Sequence, residues 1–354
     1  MVRNYKCPGC GAAMEFDSVS QKMHCSHCDT FLSVEELDAL YENTDQNQSE
    51  SLHTSGEFED RANQENFQVY KCPSCGAEVL CDEHTAATFC SFCGNPSIIK
   101  DRVEGVKTPD AIIPFKISKE QAVEMYKAWT KKGLFTPSEF RSRAVIEKIT
   151  GIYVPFWIYD YDAEAAITAH CTRVHTERHG DTEYVHTDNF RVTRDVQADY
   201  RKIPADASEK MPDDVMDLME PFNYNEMTKF EMPYLSGFYA EKYNYGRDEL
   251  APRVEKRVGD YITSAARSTI VGYSSINIID SRTHLKRNDA HYTMFPVWVL
   301  NYRYRDKDYN FTLNGQTGKI VGLLPVSKAK AFGFFAVTTA ILFGVFTLIG
   351  GLLG

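Results

Sequence analysis

The chain has 354 residues, 43% of them apolar and 25% charged, with a net charge of −10. These proportions exclude a disordered chain and leave room for two or three folded units. The excess negative charge all falls in residues 1–100, with 6 Lys and Arg against 16 Asp and Glu, and the remainder balances at 33 against 33. That acidic part repels phosphate backbones and argues against a nucleic-acid partner.

The first element is a cysteine quartet. Cys7-Pro-Gly-Cys10 is followed by fourteen residues and then Cys25-Ser-His-Cys28. A near copy follows at an offset of 65, with Cys72-Pro-Ser-Cys75, fourteen residues and Cys90-Ser-Phe-Cys93. The copies extend outward, since Tyr5-Lys6-Cys7-Pro8 matches Tyr70-Lys71-Cys72-Pro73. Each Cys-x-x-Cys turn puts two sulfurs on one side of the backbone, and two facing turns make the tetrahedron of a four-thiolate zinc site. Glycine follows each first pair, at Gly11 and Gly76, where such turns need positive φ. The reading is two structural Zn²⁺ ions, held by Cys7, Cys10, Cys25 and Cys28 and by Cys72, Cys75, Cys90 and Cys93, in zinc ribbons at 1–32 and 69–100. The alternative is a pair of disulfide-stapled loops. Four protein ligands leave no position for water or substrate, so catalysis at these metals is not expected.

Between the quartets, Ser33-Val-Glu-Glu36 is a capping box that opens a short helix of about ten residues. Asn43 to Gln68 is polar and reads as a flexible linker, which would let the first ribbon move relative to the second.

An α+β domain is expected over 109–326, with antiparallel strands. Ala111 to Ile117 reads as a strand. Ser118-Lys-Glu-Gln121 caps a helix that presents Ala122, Val123, Tyr126 and Trp129 on one face and stops at Gly133. Thr136-Pro137 starts a second helix, ended by Gly151. The strand Tyr153-Val-Pro155-Phe-Trp157-Ile-Tyr159 has a later echo, Met294-Phe-Pro296-Val-Trp298-Val. The echo follows a helix from about Asp248 to Ile270, so the domain reads as a duplicated α+β unit. Proline in each strand favours an edge or a bulge. Tyr309 to Leu313 and Lys319 to Leu323 form a hairpin around Asn314 to Gly318.

Residues 331–354 carry no charge over 24 residues. As a helix this span reaches roughly 36 Å, enough to cross a hydrocarbon core of ~30 Å. Lys319, Lys328 and Lys330 precede it, so the positive-inside rule places the N-terminal bulk in the cytoplasm. No signal peptide is read in the first thirty residues. A reducing compartment disfavours disulfides and so supports zinc. Ala336, Ala340 and Gly344 form a small-residue stripe of the kind that paired membrane helices use, which makes self-association an open alternative.

Other clusters are weaker. His170, Cys171, His175 and His179, with His186 nearby, hint at a metal, but Ala165 to Thr193 alternates as a polar hairpin bearing exposed histidines. Cys81 reads as a spare thiol. Gly315 to Lys319 fails the phosphate-loop pattern, because Leu313 and Ile320 stand where glycine and Ser/Thr are required. No catalytic constellation emerges, and an enzyme is not expected.

With YKCPGCGA, its copy, IIPFKIS, YVPFWIYDYDA and FPVWVLNYRYRDKDYNFTLNGQTGKIVGLLP in place, the chain resembles a family of Gram-positive bacterial membrane proteins, the TFIIB-type zinc-ribbon-containing proteins. They are often labelled primosomal replication factor or superfamily II helicase. The helicase label finds no Walker sequence here. The resemblance implies a membrane recruiter of cytosolic proteins in a phage-shock-type envelope response, with SPFH-domain proteins among the partners. The expectation is a single-pass, tail-anchored adaptor. The alternatives are a nucleic-acid-binding or helicase-accessory protein and an enzyme housed in the α+β domain.

Overall fold

A computed structural model describes residues 5–37, 39–40, 68–81, 90, 92, 99–101, 107–305 and 307–353. The protein is a mixed α+β structure built around antiparallel pairing. A small sheet holds β1 (Glu15–Asp17), β2 (Lys22–His24) and β3 (Phe31–Leu32). A second sheet holds the remaining strands. They are β4 (Gln68–Lys71), β5 (Glu78–Cys81), β6 (Ile99–Asp101), β7 (Ala111–Ile112), β8 (Thr150–His179), β9 (Thr182–Asp206), β10 (Thr228–Lys229), β11 (Tyr239–Glu241), β12 (Ser275–Tyr304), β13 (Lys307–Asn314) and β14 (Ile320–Gly322).

The frame of this sheet is the trio β9-β8-β12. β8 pairs with β12 from Thr150↔Val299 to Thr172↔Ser275, and with β9 from Phe156↔Asp206 to the turn at His179↔Thr182. From Tyr161 to Cys171 the inward residues of β8 are Tyr161, Ala163, Ala165, Ile167, Ala169 and Cys171. These mostly small side chains let the Arg247–Ser268 helix lie close, and it buries Leu250, Val254, Val258, Ile262 and Ala266 in the same core. Nearer its start the strand is buried on both faces. Ile152, Val154, Phe156 and Ile158 meet Met211, Met216, Met219 and Phe222 on the second face, which explains the continuous apolar run there.

The two Pro-x-Trp strands make matching contacts. The Trp157 indole N–H donates to the carbonyl of Tyr245, and that of Trp298 to the carbonyl of Ile117, each at 2.9 Å. Each acceptor directly precedes a helix N-cap, Gly246 for the Arg247–Ser268 helix and Ser118 for the Lys119–Lys132 helix. Ala207 N donates to Pro155 O at 3.0 Å, and Gly315 N to Pro296 O at 2.8 Å. Proline returns no N–H, so the carbonyls of Ala207 and Gly315 are free. Each accepts two backbone N–H groups instead, from Asn244 and Tyr245 and from Lys116 and Ile117 respectively. This corrects the edge expectation, because Pro155 sits in an inner strand between β12 and β9. The prolines are tolerated where a partner strand turns away to receive a pre-helix segment.

The expected second helix is much shorter. A 3₁₀ turn at Ser138–Arg141 and one helical turn at Arg143–Ile146 replace it, and Gly151 lies inside β8. A Cβ at Gly151 would come within 2.7 Å of the Phe238 ring, so packing rather than helix termination requires glycine there. The strand expected at 111–117 is regular only over β7, and the rest is extended backbone bonded to Gly315. The Ser118 capping box and the β13-β14 hairpin form as expected.

The linker expected over 43–68 lies outside the described residues except for Gln68, which opens β4. The cysteine segments on either side are both joined to the central domain. Phe16 N donates to Ser236 O at 3.2 Å, the Phe16 and Tyr234 rings meet at 5.1 Å, and Gln21 Nε2 donates to Phe115 O at 2.7 Å. Met23, Val34 and Leu37 are buried in the main core. The second segment adds β5 to β11 through Leu80↔Ala240 and Val79↔Glu241, and Asn301 Nδ2 donates to Phe92 O at 2.5 Å. At the C-terminal side, the apolar helix Lys328–Leu353 stands clear of the sheet.

Candidate metal centres

The turns that carry the cysteines share one backbone form. Cys7 N donates to Ala12 O and Gly11 N returns to Cys7 O, with φ +75° at Gly11. Cys72, Ala77 and Gly76 repeat this with φ +73°. Cys25 and Thr30 repeat it again, with Asp29 in the positive-φ place at 55°. Aspartate is among the few side chains that tolerate this region, so the second turn of the first module lacks the glycine signature.

These turns gather Cys7, Cys10, Cys25 and Cys28 so that all four sulfurs lie within 4.8 Å of one another. Cys7 and Cys28 stand 3.4 Å apart, and Cys10 and Cys25 3.5 Å. Disulfide sulfurs sit at ~2.05 Å, whereas a tetrahedron with bonds of 2.3 Å has edges of roughly 3.8 Å. The spacing is therefore that of a ligand set, and no disulfide forms among these cysteines. Burial opposes ionisation of the Cys7 thiol, but the backbones of Gly9 and Cys10, the Cys28 thiol and the Thr30 hydroxyl outweigh it and lower its pKa, whereas that of Cys10, although the Ala12 backbone lowers it, is raised by burial and by the thiols of Cys28, Cys25 and Cys7. A metal would take up these cysteines as thiolates with release of their protons.

In the second module Cys72, Cys75 and Cys90 converge in the same way, with Cys75 and Cys90 at 3.6 Å. Cys93 lies outside the described residues. Seven of the eight expected ligands are thus brought together in two clusters that could each hold a metal ion. His24 stacks on Phe31 at 4.3 Å and pairs with Asp29, outside the first cluster.

The histidine run does not converge. Cys171 is buried beneath the Arg247–Ser268 helix, whereas His170 faces the other way. His175 stacks on His186 across the hairpin at 5.0 Å, and His179 meets Tyr184.

Sequence reading missed a buried acid pair. Asp206 and Glu241 are 2% and 1% exposed. Ser208 joins them, its N–H donating to Asp206 Oδ1 at 3.1 Å and its hydroxyl to Glu241 Oε1 at 2.7 Å. Among the described residues, Asp206 Oδ2 and Glu241 Oε2 have no hydrogen-bond partner. Burial pushes both carboxyls up to about 8, and the charge of Asp206 adds to the effect on Glu241. The two acids lie 35 residues apart on different strands, and neither stands in a motif. A further feature is an open groove of about 430 Å³ between the first module and the domain. It is lined by the carboxylates of Glu15, Asp17, Glu120 and Glu147 and by one cation, Lys119.

A protein of Bacillus subtilis (strain 168), described as uncharacterized protein YdjG, is 40% identical to this chain over 336 residues, or 95% of this chain and 94% of the other. No family model matches the chain, and no solved structure matches it.

Proposed function

The chain belongs to the family of Bacillus subtilis YdjG, and we propose that it is a membrane-anchored zinc-ribbon adaptor that recruits a cytosolic protein. The observation that carries this reading is one of placement. Two thiol clusters are joined to a domain whose last strand leads into an apolar helix long enough to cross a bilayer. Soft thiolate ligands in tetrahedral spacing select Zn²⁺, and closed four-ligand sites build structure rather than chemistry. The fourth ligand of the second module is Cys93. The matching contacts of Trp157 and Trp298, and of Pro155 and Pro296, support an internal duplication as the origin of the domain.

The surface offered to a partner is acidic. Residues 1–100 carry the whole net charge, and the groove beside the first module has four carboxylates against one lysine. Such a face complements a basic protein surface and repels nucleic acid. The cytoplasmic orientation follows from Lys319, Lys328 and Lys330. The reading involves no catalysis, and the small-residue stripe at Ala336, Ala340 and Gly344 provides a route to self-association.

The test is affinity capture from detergent-solubilised membranes, comparing the native chain with Cys72→Ser/Cys75→Ser. The adaptor reading expects a cytosolic protein to be recovered with the native chain and lost from the variant, while the variant remains in the membrane. Recovery unchanged by the double substitution would remove the second module from recruitment. Micromolar binding of DNA or RNA at about 0.15 M salt, the strength of genuine nonspecific binders, would overturn the reading.

A further inference from the structure

The loop that follows the Lys119–Lys132 helix is fastened to the base of the apolar helix. The Leu324 side chain packs so tightly on Gly133 that a Cβ there would come within 2.8 Å of it. Ser327 N donates to Phe135 O at 2.8 Å, and Lys330 Nζ to Thr136 O at 2.7 Å. The Phe135 ring meets Phe334 edge-on at 5.5 Å. Phe334 lies one helical turn past Lys330, the last charged residue of the chain. If the uncharged stretch is in the bilayer, a side chain touching Phe334 is at the level where hydrocarbon begins.

The same corner is apolar outside and basic around it. Leu134 is 67% exposed, Leu323 80% and Val326 62%. Residues 131–143 hold four Lys and Arg and one Glu, and residues 319–332 hold three lysines and no acid. A cluster of tyrosines, Tyr302, Tyr304 and Tyr309, closes around Phe140 at 4.9 to 5.7 Å. Exposed apolar side chains flanked by lysines in both segments match the chemistry of an interfacial contact, where cations meet anionic lipid. The remaining net charge of the molecule is strongly negative, so this basic corner is a local feature.

We propose that the loop 133–136 and the segment 323–327 insert into the headgroup region of an anionic phospholipid bilayer, so that the domain rests on the membrane at three points rather than hanging from one helix. This rests on the membrane reading of the Lys328–Leu353 helix. Continuity with that helix and the local charge select a lipid surface as the occupant. The contact fixes the tilt of the long β8-β9-β12 sheet and holds the cysteine modules at a set place relative to the bilayer.

The test uses the full chain reconstituted in vesicles whose acyl chains carry bromine, a contact quencher of indole, at shallow positions in one preparation and near the chain ends in another, the second reporting on position 343 about 20 Å along the helix from Lys330. Leu134→Trp, Leu323→Trp, Phe343→Trp and Val271→Trp are compared with the native chain, whose three tryptophans set the baseline. Val271 is 75% exposed and lies at the other end of the sheet, roughly 70 Å away along β8. The added emission at 134, 323 and 343 is expected to be quenched, and that at 271 to persist. Quenching at 343 with full emission at both 134 and 323 would overturn the inserted loop and leave the anchor intact. Full emission at 343 would overturn the anchor itself. Quenching at 134 and 323 is expected to strengthen when phosphatidylglycerol replaces phosphatidylcholine, and equal quenching in both would overturn the assignment to an anionic surface.

Discussion

At the residue scale, the clearest energetic anomaly is the Asp206–Glu241 pair. A buried carboxyl whose folded pKa rises to about 8 keeps its proton through a range in which the unfolded chain, with carboxyls near 4, has released it. Between those values the folded state binds more protons, so stability falls as pH rises from about 4 to about 8. The matching position in the other half shows the remedy. Asn314 Oδ1 accepts the N–H groups of Gln316 and Thr317, and its amide donates to Met219 O. Asp206→Asn is therefore expected to stabilise the protein by about 2 kcal/mol at pH 8 and to flatten the fall in melting temperature between pH 6 and pH 8. Thermal melts at both values check this. A native melting temperature that is level across the range, with no gain in the variant, would remove the buried-acid account.

At the element scale, the two Pro-x-Trp strands make a prediction that treats them as equivalents. Trp157→Phe and Trp298→Phe each remove one indole N–H from a carbonyl just ahead of a helix cap. Each should cost about 1–3 kcal/mol in denaturant unfolding, and the two losses should be similar. A large loss for one and none for the other would break the equivalence. Gly315→Ala sets a Cβ at 2.6 Å from the Phe115 ring and 2.9 Å from Pro296, and overpacking of this kind costs about 1–3 kcal/mol.

These elements also show what could be read in advance. The cysteine spacing, the Ser118 capping box, the Arg247–Ser268 helix and the uncharged final helix are local patterns, and each was legible. The length of β8 and β12 was not. Inward Ala163, Ala165 and Ala169 look polar-neutral along the chain and become a core face only beneath a helix some 90 residues later. The Ser142-to-Gly151 stretch carried helix signals, but the burial of Ile149, Thr150 and Gly151 against Phe238 and Trp298 drew its end into the sheet. The acid pair and the docking of the first cysteine module depend on contacts between distant segments, which no spacing encodes.

At the scale of the whole molecule, charge and apolarity are segregated. Acid gathers in residues 33–68, between the cysteine modules, with ten Asp and Glu against one Arg, and the basic, apolar corner surrounds the final helix. A chain ending at Ser327 is expected to leave the membrane fraction at high salt, because among the described residues one helix alone is long and apolar enough to span. Sedimentation with membranes in high salt would show a second strong anchor. Because Cys7 and Cys25 belong to the main core cluster, loss of the first metal should also loosen the packing of Phe16 on Tyr234.

The account stands most directly on the metal content of the full chain, purified in detergent under reducing conditions without chelator. Elemental analysis should give two zinc ions per chain, falling to one in Cys7→Ser and to one in Cys72→Ser, since each substitution removes one ligand set. A folded, reduced chain with a zinc ratio near zero would contradict it.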